Sequence, residues 1–239
     1  LALGTAIASF AIAGLSTAEV PHVKIGRFPQ EVATAFTVAD GLPSNNVQGV
    51  YLDKSGTVWA KTDQGWAIRQ GNTWLEADAP ALKELCGYID PQKYAAIDRN
   101  VTQVARTADS KIVAATDHGL LMQSADQFQP LIVQDGLGRR WGTSDVRGVA
   151  VDSHGQLWFA TLAGAACQTA DGWQFYTGQE GLPYNDFTTI QAGPDGVVWF
   201  GTTLGAVRFD GGNWAYRQGR RWLPNDDIRG IAVDDRGSA

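Results

Sequence analysis

Cysteine, histidine and methionine are scarce here: two, three and one residues in a chain of 239. Cys86 and Cys167 leave a zinc site short of ligands. They suit a reducing or an oxidising compartment. Two unpaired, partly buried thiols are the expectation, with a disulfide as the alternative. The histidines, His22, His118 and His154, give a nucleophilic triad no support. No phosphate-loop or dinucleotide fingerprint occurs, although glycine is plentiful. Positive charge is not in surplus: 19 Lys and Arg face 25 Asp and Glu, a net charge of −6 that argues against a nucleic-acid partner. Long apolar runs are absent apart from Leu1–Leu15, which is short for a membrane span. It ends at Ser16-Thr17-Ala18, a small-x-small site, and reads as the core and cleavage site of a secretory signal over 1–18, truncated at its start. The mature part, 19–239, is expected to be exported, periplasmic or extracellular, without a transmembrane segment, cofactor or metal.

What the chain has is tryptophan (nine), glycine (28) and a repeat. Trp59, Val113, Trp158 and Trp199 are equivalent positions, 54, 45 and 41 residues apart. Three residues later comes threonine each time (Thr62, Thr116, Thr161, Thr202), and three after that glycine (Gly65, Gly119, Gly164, Gly205). Twelve residues before stands an apolar strand opener: Val47, Val101, Val146, Phe187, and Ile228 for a fifth copy. Short apolar runs rich in β-branched and aromatic residues, bounded by glycine turns, read as strands. A period of about 41–54 residues with a tryptophan-bearing strand predicts an all-β propeller of four-stranded blades. In the third copy the strands are expected at Val146–Val151, Leu157–Thr161, Ala165–Thr169 and Trp173–Tyr176. Ala33–Thr37 is expected to be the last strand of a further blade, and Ile228–Val233 the first strand of copy five. An insertion over 75–100 interrupts the pattern, with a short helix expected after Pro80. The chain is expected to be an incomplete propeller, a fragment of a six- or seven-bladed one.

The repeat resembles the two-component regulator propeller family. Gly41-Leu42-Pro43-Ser44-Asn45-Asn46-Val47 and Gly181-Leu182-Pro183-Tyr184-Asn185-Asp186-Phe187 look like its blade opening, and Val197-Val198-Trp199-Phe200-Gly201-Thr202 with Gly205 like its central signature. Copy two departs at Val113 and has no Gly-Leu-Pro. Copy three has Gly138 where proline would stand, and copy five has Trp222-Leu223-Pro224. The resemblance implies an extracytoplasmic sensing module ahead of a histidine kinase, responding to carbohydrate-like ligands.

In an up-and-down blade the fourth-to-first connections and the second-to-third turns share a face, and binding residues concentrate on such loops. There Arg139-Arg140-Trp141 and Arg220-Arg221-Trp222 pair guanidinium forks, suited to carboxylate or sulfate, with rings that stack on sugars or on the guanidinium itself. With Tyr184, Asn185, Asp186, Asn225 and Asp226 they make the candidate site for an oligosaccharide or other small ligand. The competing reading packs each Trp between blades and pairs the arginines with nearby acids. Asn45, Asn185 and Asn225, taken as one recurring position, are expected to cap their own turns. The repeated threonines are expected to be strand-end hydrogen-bond formers. No catalytic residue is assigned. The expected function is recognition, with a substrate-holding role in a larger polysaccharide-processing enzyme, or a protein-interaction platform, as alternatives. A downstream signalling or catalytic domain is the expected covalent partner.

Overall fold

A computed structural model describes residues 33–86, 94, 97, 100–125 and 127–239. The proposed signal over 1–18 lies outside them. Four sheets of four antiparallel strands follow one another, each hydrogen-bonded in chain order. Blade 1 is β1 (Val47–Leu52), β2 (Val58–Thr62), β3 (Trp66–Gln70) and β4 (Thr73–Ala77). Blade 2 is β5 (Val101–Arg106), β6 (Ile112–Thr116), β7 (Gly119–Ser124) and β8 (Gln127–Pro130). A two-stranded hairpin, β9 (Val133–Gln134) and β10 (Arg140–Trp141), precedes blade 3. Blade 3 is β11 (Gly148–Val151), β12 (Leu157–Thr161), β13 (Gly164–Thr169) and β14 (Gly172–Tyr176). Blade 4 is β15 (Phe187–Ala192), β16 (Val198–Thr202), β17 (Gly205–Phe209) and β18 (Trp214–Arg217). The protein is an all-β propeller of four-stranded blades whose ring of sheets is not closed.

Two repeated hydrogen-bond devices explain why the sequence motif has its spacing. At the second-to-third turn, the buried threonine donates to the carbonyl of the glycine three residues on, at 3.0, 2.6, 3.2 and 2.7 Å in the four blades. The same oxygen accepts a backbone N–H two residues on. That glycine has positive φ in every blade. In blade 3 a Cβ on Gly164 would stand 2.2 Å from the Tyr176 carbonyl oxygen, so sterics and φ both demand glycine. At the first-to-second turn, Asp53 and Asp152 each accept two backbone N–H groups on one oxygen and the indole N–H of the tryptophan six residues later on the other, at 2.9 Å. Aspartate thus ties turn and tryptophan together.

The core lies between blades. Val113, Leu120, Val149, Leu157 and Phe159 fill the space between blades 2 and 3. Trp158, Tyr176, Phe187, Phe200 and Phe209 fill that between blades 3 and 4. Trp158 is 2% exposed, stacked on Tyr176 at 5.5 Å and edge-on to Phe200 at 6.1 Å. Gln103 reaches across blade 3 to donate to the Ile190 carbonyl of blade 4 at 2.9 Å, over Gly148.

Several expectations are corrected. Ala33–Thr37 and residues 228–233 are not strands, since no described strand lies alongside to form a ladder with them. The helix after Pro80 is only a 3-10 turn, Leu82–Glu84; the chain then bridges to β1 through Asp53 and Leu85. Both cysteines are free, Cys167 buried as expected and Cys86 exposed. Burial, with the Asp152 charge, pushes the Cys167 thiol up to about 12.

Candidate functional site on the loop face

The loop face is built from blade openings and Thr-x-x-Gly turns, and a polar pair repeats across it. Asn46 donates to Asp63 at 3.3 Å, Asn100 to Asp117 at 2.9 Å, and Thr203 to Asp186 at 2.8 Å. Each pair fastens a blade's opening to its second turn. His118 Nδ1 is hydrogen-bonded to Asp117 at 2.7 Å, and that bond holds the Asp117 carboxyl below its ordinary value. Among the described residues no three His, Cys, Asp or Glu side chains gather to hold a metal ion.

The blade openings share a second device. Thr37 caps its 3-10 turn, with the Asp40 carboxylate accepting back from the Thr37 N–H at 2.8 Å; Thr177 and Glu180 do the same at 2.7 Å. Leu42 and Leu182 then bury at 6% and 5% exposure. Counting seventeen residues back from Trp158, as Leu42 is from Trp59 and Leu182 from Trp199, reaches Trp141, which is buried at 6%. The Gly136-Leu137-Gly138 stretch is therefore not copy three's opening. Leu137 is 81% exposed at the tip of the β9–β10 hairpin.

That hairpin repeats the aspartate device. Asp135 accepts the Leu137 and Arg139 backbone N–H groups at 2.9 Å and the Trp141 indole N–H at 3.1 Å, and its other contact is with Arg139 Nε at 2.6 Å. Burial opposes ionisation of Asp135, but the Trp141 and Arg139 hydrogen bonds outweigh it and lower the carboxyl to about 2. Trp141 packs on Phe175 at 4.7 Å, inside the core between blades 2 and 3. Arg140 is exposed on the rim of a cavity of about 300 Å³ that also takes in Thr143, Ser144 and Leu162.

Asn185 links that cavity to blade 4 by donating to the Leu162 carbonyl at 3.1 Å. Next to it Tyr184 lies near-parallel to Tyr216, with centroids 6.4 Å apart, and its hydroxyl is 3.3 Å from Thr203 Oγ1. Tyr216 is itself held by donating to the Leu204 carbonyl at 2.7 Å. Farther along, Trp222 is half-buried with two guanidiniums near its ring, Arg217 at 4.8 Å and Arg221 at 5.1 Å from its centre. Arg220 is exposed. Asp226, not Asn225, takes the Asn45 position: it accepts the Gly219 N–H at 2.7 Å as Asn45 accepts that of Val38 at 2.9 Å. Asn225 instead accepts the Asp227 N–H. Asn45 and Asp226 thus tie back across their own openings, whereas the Asn185 amide reaches the neighbouring blade.

This repetition defines a propeller of one repeat class. Residues 181–203 match the family described as two component regulator propeller, so the chain carries that repeat. No curated protein matches the chain. Among solved structures, one described as the extracellular domain of a hybrid two component system of B. thetaiotaomicron is 23% identical with a TM-score of 0.47, over 81% of this chain and 26% of its own. A second, from a one component system of the same organism, is 16% identical with a TM-score of 0.42, over 76% and 26%. Virginiamycin B lyase from Staphylococcus aureus is 13% identical with a TM-score of 0.37, over 77% and 73%. The chain spans about a quarter of the first two structures' length.

Proposed function

We propose that the chain is an exported ligand-binding propeller of sensor type, which takes a carbohydrate-like ligand on its loop face and passes the binding event to a signalling domain in the same polypeptide. The observation that carries the ligand class is the pair of ring platforms on blade 4 and the following opening. Tyr184 beside Tyr216, and Trp222 with Arg217 and Arg221 near its ring, accompany the Asn185 amide and the Thr203 hydroxyl. Aromatic faces with amide and hydroxyl partners suit the apolar faces and hydroxyls of sugar rings. Arg140 and Arg220 add charge for an acidic sugar. The match to a two component regulator propeller supports the sensor role. No helix among the described residues is long and apolar enough to cross a membrane.

The test is calorimetry of the protein against a panel of neutral and acidic oligosaccharides. Tyr184→Ala and Trp222→Ala are expected to weaken binding tenfold or more while melting stays within a few degrees of the parent. Unchanged affinity in both variants, or no binding across the panel, would overturn the reading.

A further inference from the structure

A second cavity, larger than the one beside Arg140, lies among the first strands of the blades. It encloses about 470 Å³ between β1, β5, β11, β15 and residues 229–233, a size within the ordinary range of small-molecule sites, roughly 300–1,000 Å³. Its sign of charge is opposite to that of the chain. Aspartate and glutamate outnumber lysine and arginine by 25 to 19 overall, yet among the described residues lining this cavity there are two arginines, Arg106 and Arg229, and no carboxylate. Gln48, Gln191 and Tyr51 supply neutral polar groups between them.

A local distortion shapes one mouth of the cavity. In blades 1, 2 and 4 the pairing of first and second strands shifts register at the strand's second residue, Gln48, Thr102 and Thr188. Such bulges re-aim a side chain. Thr102 donates to the Val146 carbonyl at 3.2 Å and Thr188 to the Ile228 carbonyl at 2.5 Å, each reaching the next blade's opening. Arg229 holds the same position in copy five. Arg106 closes β5, four residues beyond the Thr102 position, so the two guanidiniums mark opposite ends of a passage whose strands rise about 3.3 Å per residue.

Neither arginine is used up. Arg106 donates through Nη1 to the Ser110 carbonyl at 3.0 Å, and Arg229 through Nη2 to Asp227 beside the mouth. Each guanidinium has five N–H donors, so most remain available. The Asp227 charge offsets part of that of Arg229, whereas Arg106 has no acidic partner among the described residues.

We propose that this axial cavity is a binding site for a small polycarboxylate, with one carboxylate held by Arg106 at one end and another by Arg229 at the other. The site is separate from the loop-face platforms and does not depend on the sugar reading. To test it, the full chain is titrated by calorimetry with sodium citrate and with sodium sulfate at fixed ionic strength, so that general screening stays constant. Saturable binding of citrate is expected, tighter than that of sulfate, which meets one guanidinium only, and weakened tenfold or more in Arg106→Gln and in Arg229→Gln. Lys83→Gln, which removes a surface cation outside the cavity, should leave binding unchanged. Arg106→Lys and Arg229→Lys keep the charge but lose the planar fork. They are expected to weaken binding several-fold, and they carry the test if a glutamine variant melts early. No saturable binding of citrate by the parent protein, or binding no tighter than that of sulfate, overturns the proposal. So does parental affinity in both arginine positions' variants.

Discussion

At the scale of single residues, Asp152 serves three partners with two oxygens and leaves neither to solvent: the His154 and Gln156 N–H groups and the Trp158 indole. In blade 4 Gly193 holds that place, and Trp199 is half-buried, near Arg208 at 5.9 Å, as Trp59 is half-buried in blade 1 with Asp53 in place. Blade 2 has Thr107 there and dispenses with the indole, using Val113. Asp152→Ala would leave the indole N–H of a tryptophan that is 2% exposed without its partner. Hydrogen bonds to a charged acceptor and the penalty of a stranded donor put the loss at about 3 kcal/mol. Urea unfolding should show it as a lowered midpoint with an unchanged slope. A shift below about 0.5 kcal/mol, the range of ordinary surface changes, would mean that the aspartate does not hold the tryptophan.

Among elements, the β9–β10 hairpin shows what sequence reading caught and what it missed. Arg139, Arg140 and Trp141 were legible as a distinct group, and the reading that packs the ring between blades is the one Trp141 follows. The alignment of the copy was not legible, because glycine and leucine at 136–137 imitate a blade opening. Two spacings identify it. Asp135 stands six residues before Trp141, as Asp53 does before Trp59, and Trp141 stands seventeen before Trp158. Burial of an apolar ring at the leucine position decides between the readings, and proximity of two arginines does not. The one-residue slip at Asn225 has a similar origin: residue type suggested asparagine, while the carboxylate of Asp226 makes the equivalent hydrogen bond. The hairpin also has a pH signature. The Asp135 carboxyl is depressed from 3.8 to about 2, so its contribution is present above the ordinary value and is lost as pH falls through the folded one. The Trp141 indole N–H should stay protected from exchange at pH 4 and lose protection towards pH 2. Equal protection at both values would contradict that assignment.

For the whole molecule, the blade count among the described residues, the strands within the four blades and the interblade core were legible because the repeat aligns them, whereas the strands expected at 33–37 and 228–233 did not form. Long-range contacts that fall outside the repeat were not. The Gln103 amide bonded to Ile190, and Gly148 beneath it, cannot be inferred from residues 87 positions apart in sequence. A Cβ at Gly148 would come within 2.4 Å of the Gln103 oxygen and 2.7 Å of the Ile190 side chain. Gly148→Ala should cost about 1–3 kcal/mol by overpacking and uncouple blades 2 and 4. The unfolding transition is then expected to broaden or split, since repeat arrays lose cooperativity when an interface term weakens. A transition as sharp as the parent's at the same midpoint would remove that link.

The clasp in the β9–β10 hairpin has a consequence for how this segment meets proteases. A surface connection between two blades is ordinarily where cleavage begins, because a protease cleft needs an extended stretch with its amides unclaimed. Here the Leu137 and Arg139 amides are already bound to Asp135, and Trp141 pins the returning strand in the core. The arginines at 139 and 140, which would otherwise invite a trypsin-like enzyme, are shielded by the geometry that presents them.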